Sequence, residues 1–471
     1  MSESETAIRV ANGRSVTDYE TYIHEPTCRQ LDHIPGDYGL PVLGHTFTYL
    51  KDPLPWAQER YRRYGPVSRV CTTGSRGVLC LGPDLVQRIM LDPGRDFSSR
   101  MGFQDRVATF FGGSLIMEDF EHHRFQRRIA QTAFKHESLA HYTADINDLY
   151  RRTLDEWAAA AGEVIPFFDY IKALLLRVAE EVFIGEKEAD QAVRRLSTAF
   201  IDCVQGMMYI LPVRFPGTTL HRGLMGRRYL ERYVGGLISA KREGEGRDIL
   251  SHFCRERDEH GNFFSDEDIA NQMIFLLFAA HDTTTAALCF TIYYLARNPE
   301  VKEQLYREIS VFGKAQLDYA DLDALPYLQQ VFNEVQRIRP SVPVVPRRSI
   351  REVEMAGHRI PAHTMVFTLP RFTHWMEEYW TEPRRFDPDR FSPERAEHKQ
   401  HPFLFHPFGG GAHKCIGMHF AQMEYKCFMY QFLRRFDFEA RHKKPDVYVQ
   451  TWPLPKPSDD MPVVLQRAGA S

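Results

Sequence analysis

Apolar residues recur at every third or fourth position over much of the chain, a spacing that puts them on one face of an α-helix. The pattern runs through residues 138–157, 167–183, 190–207, 229–241, 301–312, 325–338 and 416–435. Elsewhere, short apolar runs at 68–71 and 77–81 flank a Gly-Ser-Arg-Gly turn, which predicts a β-hairpin. Alternating segments over 348–369 predict small strands. We therefore expect a mainly α fold with a minor β portion.

One predicted helix is much longer than the others. Ser265 with Asp268 forms a capping-box pattern that begins it, and Asn298-Pro299 ends it. About 30 residues at ~1.5 Å each give a rod of roughly 45 Å. Its middle is apolar on nearly all sides, so we expect it to lie at the centre of the fold. The apolar run at 273–280 is broken by His281 and Asp282, which indicates a buried helix rather than a membrane span.

Charge and the N-terminal sequence exclude several classes of protein. The 471 residues include 59 Lys and Arg against 62 Asp and Glu, a formal net charge of −3. A near-neutral chain is not steered to nucleic acid or to an acidic membrane, so we expect no nucleic-acid partner. Residues 1–34 are polar and lack the apolar core of a signal peptide. We expect a polar N-terminal segment over 1–34, a single domain over 35–471, no transmembrane anchor, and a cytoplasmic monomer.

One of the eight cysteines lies in a glycine-rich sequence. Residues 408–417 read FGGGAHKCIG, and three consecutive glycines let a loop wrap closely around a flat group or a sulfur. Cys415 directly precedes the predicted helix over 416–435, and a helix start favours a thiolate over a thiol. A thiolate is a soft metal ligand, so we predict a metal site at Cys415. The spacing of the cysteines shows neither a disulfide framework nor a zinc site.

This string fits the pattern F-x-x-G-x-x-x-C-x-G and resembles the haem loop of the cytochrome P450 family. The resemblance extends from about residue 35 to about residue 465 and implies the cytochrome P450 fold, with the long central helix over the haem. It implies that Cys415 is the axial ligand of the haem iron, that Phe408 packs beside the sulfur, and that Gly411 and Gly417 belong to the haem loop. No C-x-x-C-H sequence occurs, so we expect haem b, held without covalent attachment apart from the thiolate bond.

Haem propionates are carboxylates and need hydrogen-bond donors. His123 and Arg127 lie four residues apart on one helical face and match the family's helix that carries propionate donors. Arg347 stands where the family often has another propionate arginine, with Arg348 as the alternative. By the same resemblance, His413 is expected beside a propionate.

Glu334 and Arg337 lie three residues apart on a predicted helix and can pair. The same spacing occurs elsewhere, for example at Glu382 and Arg385, where it indicates only a solvated ion pair. The resemblance implies that Glu334, Arg337 and Arg390 form a buried charge network that supports the haem-binding core. We assign these three residues to structure rather than to chemistry.

Polar residues interrupt the middle of the long helix, where residues 279–284 read AAHDTT. A buried threonine can bond to the carbonyl one turn earlier, but a buried carboxylate needs a partner or a function. The segment resembles the family's oxygen-activation motif, which implies that Asp282 and Thr283 deliver protons during dioxygen activation. Ala280 departs from the family's usual glycine, which alters the expected shape of the oxygen pocket.

Candidate substrate contacts follow from family position alone, and they are largely apolar. They are Phe103, Met207, Phe275, Ala279, Val342, Val344 and Trp452. An apolar lining favours a lipophilic substrate; steroid, terpenoid, fatty acid and polyketide all fit. The apolar segment 207–216, which prolines interrupt, predicts either buried packing or a lid.

The leading hypothesis is therefore a monooxygenase that uses dioxygen to hydroxylate or epoxidise a lipophilic small molecule. Electrons would come from a separate ferredoxin or flavodoxin with an NAD(P)H-dependent reductase. A basic face suggests where an acidic donor docks, and its predicted members are Arg124, Arg127, Arg128, Lys414 and Lys426. Two alternatives are a peroxide-using or dehydrating haem–thiolate enzyme and a haem sensor without turnover.

Overall fold

Helices form most of the structure, as the apolar spacing predicts. The computed structural model describes residues 9–11, 14–16, 25–41, 43–72, 74–103, 106–186, 191–207, 209, 213–257, 261–441, 449–450, 454–457 and 459–468. The helices are α1 (Thr46–Lys51), α2 (Pro53–Tyr64), α3 (Pro83–Leu91), α4 (Ser99–Phe103), α5 (Arg106–Phe111), α6 (Phe120–Ala130), α7 (His136–Trp157), α8 (Phe167–Val178), α9 (Gln191–Gly206), α10 (Thr219–Glu243), α11 (Ile249–Arg255), α12 (Asp266–Arg297), α13 (Pro299–Phe312), α14 (Pro326–Ile338), α15 (Pro370–Thr373) and α16 (Met418–Arg435).

The strands are short and form small sheets. They are β1 (Arg9–Ala11), β2 (Arg14–Val16), β3 (Val67–Thr72), β4 (Ser75–Cys80), β5 (Phe97–Ser98), β6 (Val164–Pro166), β7 (Val345–Ser349), β8 (Val353–Met355), β9 (His358–Ile360), β10 (Met365–Thr368), β11 (Phe436–Ala440), β12 (Val449–Gln450), β13 (Lys456–Pro457) and β14 (Pro462–Arg467). The largest sheet among the described residues has the strand order β3-β4-β10-β7-β5, with β10 parallel to β4. The predicted hairpin is confirmed, because β3 and β4 pair antiparallel with Ser68 opposite Leu79.

The long central helix is also confirmed. The Ser265 hydroxyl accepts a hydrogen bond from the Asp268 N–H at 3.0 Å, and α12 then continues for 32 residues to Arg297. Its length of about 48 Å lets it pack against α8, α10, α14 and α16. α12 is the described helix that is long and apolar enough to cross a membrane. However, 67% of its most apolar 18-residue stretch is buried inside the fold. Burial of this kind is typical of a core helix.

Two helices differ most from their predicted bounds. α10 begins at Thr219, ten residues before the predicted start at 229, and Thr218 Oγ1 caps it by accepting from the His221 N–H at 3.2 Å. Four glycines between 223 and 236 weaken the apolar pattern that sequence reasoning used. The predicted helix over 167–183 is α8 followed by a π-helical turn over Ala179–Ile184.

The structure bears on two further predictions, the boundary at residue 34 and the apolar segment 207–216. Leu31 and Ile34 are fully buried in a core cluster, so the last residues of the predicted polar segment help to build the fold; the division at 34/35 stays a prediction. In the apolar segment, residues 208 and 210–212 lie outside the described residues. Met207 is 3% exposed, whereas Phe215 is 68% exposed, so one end of this segment is packed and the other faces solvent.

Candidate active site

The glycine-rich loop is shaped by contacts that other residues would break. Gly411 has a φ of +62°, and a Cβ atom there would lie 1.9 Å from the Met90 carbonyl oxygen. The Cys415 N–H closes the loop by donating to the Phe408 carbonyl oxygen at 2.9 Å. Phe408 stacks on Phe332 with ring centroids 6.2 Å apart. The loop thus holds the backbones of Cys415 and Phe408 close together, and the packing of the Phe408 ring beside the sulfur stays a prediction.

Cys415 lies three residues before α16 rather than directly at its start, because that helix begins at Met418 with Gly417 as its N-cap. The side chain is exposed, yet protein surrounds it closely, so we infer that it faces an internal cavity. Burial raises the pKa of the Cys415 thiol, against the lowering effects of the Gly417 N–H, Arg127 and Lys414. Burial therefore outweighs the lowering of the Cys415 pKa that we expected from the helix start. A coordinated cation deprotonates a thiol outright.

The predicted propionate donors converge beside the glycine-rich loop of Cys415, residues 408–417, which we call the cysteine loop. The rings of His123 and His413 lie 4.0 Å apart, and Arg127 and Arg347 are close enough to both to affect their pKa values. Burial lowers the pKa of His123 to about 3, with further lowering from His413 and Arg127. His123 Nε2 is buried and has no hydrogen-bond partner in the described part of the chain. An unsatisfied buried donor within a cationic cluster fits a carboxylate, as a haem propionate would supply.

Arg347 and Arg348 are separated by the pleat of β7, because neighbouring residues of a strand point to opposite faces. Arg348 is engaged on the far face by the Met101 and His363 carbonyl oxygens and by the Glu25 carboxylate. Arg347 is 6% exposed and lies in the cluster with His123 and His413. The geometry therefore favours Arg347 over Arg348 for the propionate role.

Asp119 belongs to this cluster, and sequence reasoning missed it. Its carboxylate accepts from the Ser99 N–H at 2.8 Å and from the Ser98 hydroxyl, and it lies 3.7 Å from His413 Nε2. Burial raises the pKa of Asp119, but the hydrogen bonds from His413 and Ser98 outweigh that effect and lower it. An ionised Asp119 therefore orients His413. No local motif signals a pairing between residues so far apart in the chain.

The middle of α12 exposes one face within an otherwise buried helix. Phe275, Ala279 and Thr283, four residues apart, are partly exposed, so this face lines an internal space. Asp282 is not isolated, because its Oδ1 lies 2.7 Å from His281 Nδ1. Burial raises the pKa of Asp282, but His281, Lys172 and Lys456 more than compensate and lower it. The role of His281 as the partner of Asp282 is thus a second feature that sequence reasoning missed, although His281 directly precedes Asp282 in the chain.

Thr283 makes the helical back-bond that its position allows. Its hydroxyl donates to the Ala279 carbonyl oxygen at 2.6 Å, which leaves the hydroxyl oxygen as an acceptor. Its carbonyl oxygen receives the Ser341 hydroxyl at 3.0 Å. Thr284 lies beside Glu424 of α16, a fully enclosed carboxyl. Burial raises the pKa of Glu424 to about 8, against a lowering effect of the Thr284 hydroxyl. Two elements therefore meet α12 at its threonines.

The Glu334–Arg337–Arg390 network is buried as the resemblance implies, and all three side chains are 0% exposed. Arg337 Nε and Nη2 donate to the two Glu334 oxygens at 2.7 and 2.8 Å. Arg390 Nε donates to Glu334 Oε1 at 3.2 Å, and its Nη1 also reaches Glu397 at 3.1 Å. The network ties α14 to the segment that leads into the cysteine loop.

Comparison with known proteins agrees with this geometry. A family model described as cytochrome P450 matches residues 34–460. The chain belongs to the cytochrome P450 family. It is therefore a P450 monooxygenase, an oxidoreductase that works with haem iron.

Two relatives and one solved structure illustrate the similarity. The chain is 36% identical over 442 residues to cytochrome P450 136 of Mycobacterium tuberculosis, covering 93% of this chain and 89% of the relative. It is 31% identical over 392 residues to cyclooctat-9-en-7-ol 5-monooxygenase of Streptomyces melanosporofaciens, covering 80% and 83%. The structure of retinoic-acid-bound cyanobacterial CYP120A1 superposes with a TM-score of 0.82 at 26% identity, covering 92% of this chain and 99% of that chain.

The predicted substrate contacts of this P450 fall into three groups. Phe275 and Ala279 lie on the exposed face of α12, and Phe275 packs edge-on against Phe111 at 6.0 Å. Phe103, Val342 and Val344 are partly exposed. Met207 is buried, and Trp452 lies outside the described residues. The first two groups stay candidates for contact with substrate, whereas Met207 serves packing in this conformation.

The basic face needs one correction. Arg124, Arg128 and Lys414 are exposed, as predicted. Lys426 is only 5% exposed and donates to the Leu322 carbonyl oxygen at 2.7 Å, so it does not belong to the surface. Arg127 is half-buried beside the cysteine loop. The exposed face is therefore smaller than the sequence suggests.

Proposed function

We propose that this P450 hydroxylates or epoxidises a lipophilic isoprenoid, with Cys415 as the axial ligand of haem b. The observation that carries the proposal is the position of Cys415 in the cysteine loop, beside a cluster of four side chains that can donate hydrogen bonds to carboxylates. His123, Arg127, Arg347 and His413 would hold the propionates. The buried, unsatisfied Nε2 of His123 supports this assignment.

The side chains of α12 supply proton handling. Bound haem would supply dioxygen activation, which a thiolate ligand favours by promoting O–O cleavage. Asp282, held ionised by His281, can take up a proton and release it again. Thr283 lies on the exposed face of α12, and its hydroxyl oxygen can accept a hydrogen bond there, because its own proton is donated to Ala279. A peroxide-using enzyme would need neither residue, which supports the use of dioxygen.

The substrate class follows from the lining and from the relatives. The exposed face of α12 and its neighbours are apolar and aromatic, which favours a lipophilic ligand. The name of the Streptomyces relative refers to cyclooctat-9-en-7-ol, and the cyanobacterial structure holds retinoic acid. Both compounds are isoprenoids. An isoprenoid is therefore the first class to test.

Electrons would reach the haem from a separate ferredoxin or flavodoxin with an NAD(P)H-dependent reductase. The exposed side chains of Arg124, Arg128 and Lys414 lie on the elements that carry His123 and Cys415. Such a face complements an acidic partner. A cytoplasmic monomer stays the expected form of the enzyme.

Product formation from a panel of isoprenoids, with NADPH, dioxygen and a ferredoxin system, tests this function. Asp282→Asn should slow product formation on the order of a hundredfold, because proton transfer typically contributes at least that much. Haem content should stay unchanged. Asp266→Asn is the matched control, since Asp266 lies in the exposed first turn of the same helix, and it should leave the rate unaltered. Loss of haem in Asp282→Asn, or an unchanged rate, would contradict the proton-delivery role.

A further inference from the structure

A second pocket lies between α2, α15 and the segment that follows α14, and the loop of Cys415 is not part of its wall. Its cavity is partly open and has a volume of about 20 Å³, which is room for a group of the size of a carboxylate. Apolar residues form most of the wall, among them Pro53, Leu54, Pro340 and Phe372. The polar lining comes from Arg339 and Arg371. We propose that this pocket binds the carboxylate of a lipophilic acid between these two arginines.

The first arginine, Arg371, is held in place but not fully satisfied. Its Nη1 donates to Asp52 Oδ1 at 3.0 Å, and its guanidinium lies 4.7 Å from the centre of the Trp375 ring. The side chain is 13% exposed. Its Nε is buried and finds no hydrogen-bond acceptor in the described part of the chain. One donor of a fixed cation therefore lacks an acceptor.

The second arginine adds charge that the pocket does not neutralise. Arg339 Nε donates to the Tyr294 hydroxyl at 3.3 Å, a neutral partner. Within the described ranges, the carboxylate beside this pair is Asp52, which also caps α2 by accepting from the Leu54 N–H at 3.0 Å. Two cations thus face one carboxylate. The positive charge of Arg339 helps burial to lower the pKa of Arg371 to about 10, which places the two guanidinium groups within electrostatic range.

The chemistry of the pocket selects the ligand. A guanidinium fork matches a carboxylate with two parallel hydrogen bonds. Charge-assisted hydrogen bonds gain strength where apolar walls exclude water. The proline and leucine walls give a hydrocarbon group a surface to pack against, which a small inorganic anion would not use. A lipophilic carboxylic acid satisfies both the cations and the walls.

The pocket and the α12 face share one segment. Ser341, between Pro340 and Pro343, donates to the Thr283 carbonyl oxygen at 3.0 Å, while those two prolines line the pocket. An acid held there would therefore lie one segment away from the proposed oxygen-activation site. The carboxylate can belong to the substrate itself or to a separate ligand. The substrate case rests on the proposed function, whereas binding in the pocket does not.

Calorimetric titration of the purified haem-loaded enzyme with retinoic acid and with retinol, its neutral alcohol, tests the proposal. The acid should bind at least roughly tenfold more tightly, as expected for charge-assisted hydrogen bonds. Arg339→Gln and Arg371→Gln should each remove most of this preference and leave retinol binding unchanged. Arg307→Gln is the control, because Arg307 is 70% exposed and pairs with Glu303 on α13.

A double variant, Asp52→Asn with Arg371→Gln, guards against a folding defect, since it leaves no unpaired carboxylate at this site. A shift of the haem absorption on titration, together with oxidation of the acid, would assign the carboxylate to the substrate. Binding without a shift, retained while retinol occupies the active site, would assign it to a separate ligand. Equal affinities for acid and alcohol in the wild type would overturn the proposal. So would a preference that survives in the folded Arg339→Gln and double variants.

Discussion

The Glu334 carboxylate illustrates how burial decides what an ion pair contributes to stability. It accepts from Arg337 and Arg390 with all three side chains fully buried. Replacing Arg337 by Met should lower the free energy of unfolding by about 3–5 kcal/mol, because charge on the network is left uncompensated. Urea denaturation of the purified enzyme measures this loss.

The matched control uses the same residue spacing at the surface. Glu382 and Arg385 also pair at i,i+3, but their side chains are 68% and 65% exposed. Arg385→Met should change the free energy of unfolding by less than about 1 kcal/mol. Similar losses in both variants would show that burial of the network contributes nothing.

Glu424 should make stability depend on pH in the direction opposite to a typical salt-bridged acid. Burial raises its pKa to about 8 in the folded protein, so the folded state retains a proton that the unfolded state releases above its ordinary pKa. Stability should therefore fall as pH rises from about 4.5 to about 8. Glu424→Gln, which cannot ionise, should flatten this part of the profile in urea unfolding at several pH values. Parallel profiles for wild type and variant would refute the assignment.

For individual residues, sequence reasoning found pairs that lie close in the chain or inside a known motif. Glu334 and Arg337 share a helical turn, and Cys415 follows a glycine run. Asp119 and His413 meet only because α6 and the cysteine loop pack together, and no spacing rule predicts such a contact. The pairing of His281 with Asp282 was within reach, because a buried carboxylate needs a nearby donor.

Among the elements, α9 and α10 pack unusually closely at two glycines. A Cβ atom at Gly223 would lie 2.6 Å from the Gly206 Cα and 2.8 Å from the Phe110 ring. Gly223→Ala should therefore destabilise the protein by about 1–3 kcal/mol, the usual range for overpacking. Thermal unfolding or urea denaturation measures the change.

Gly236 provides the control on the same helix. A Cβ atom there meets nothing within 4 Å, so Gly236→Ala should stabilise the protein by about 0.5–1 kcal/mol through helix propensity alone. Opposite signs for the two variants would confirm the close contact. A stabilising Gly223→Ala would mean that α9 and α10 do not approach as described.

The predicted elements succeeded where local signals were strong. The capping pattern at Ser265 and the stop at Pro299 fixed both ends of α12. The start of α10 was missed because its glycines serve packing against α9 rather than local helix preference. Tertiary contacts of this kind override the propensity of single residues.

Considered as a whole, the molecule brings together segments that are distant in sequence. α6 supplies His123 and Arg127, β7 supplies Arg347, α12 supplies Asp282 and Thr283, and the loop before α16 supplies Cys415. The family resemblance predicted this set from the sequence. The structure places His123, Arg127, Arg347 and His413 near one another, and their role as propionate donors stays a proposal. The charge on the pocket lined by Arg339 and Arg371 was not predicted, because these two residues belong to no motif.

The identity of the axial ligand is the central claim, and one spectrum tests it most directly. The purified enzyme is reduced, carbon monoxide is added, and the absorption spectrum is recorded for the wild type and for Cys415→Ser. We predict a red-shifted Soret band, characteristic of haem with a thiolate ligand, in the wild type and its loss in the variant. A Soret band of the histidine-ligated type in the wild type, or a red-shifted band that persists in Cys415→Ser, would contradict the assignment of Cys415.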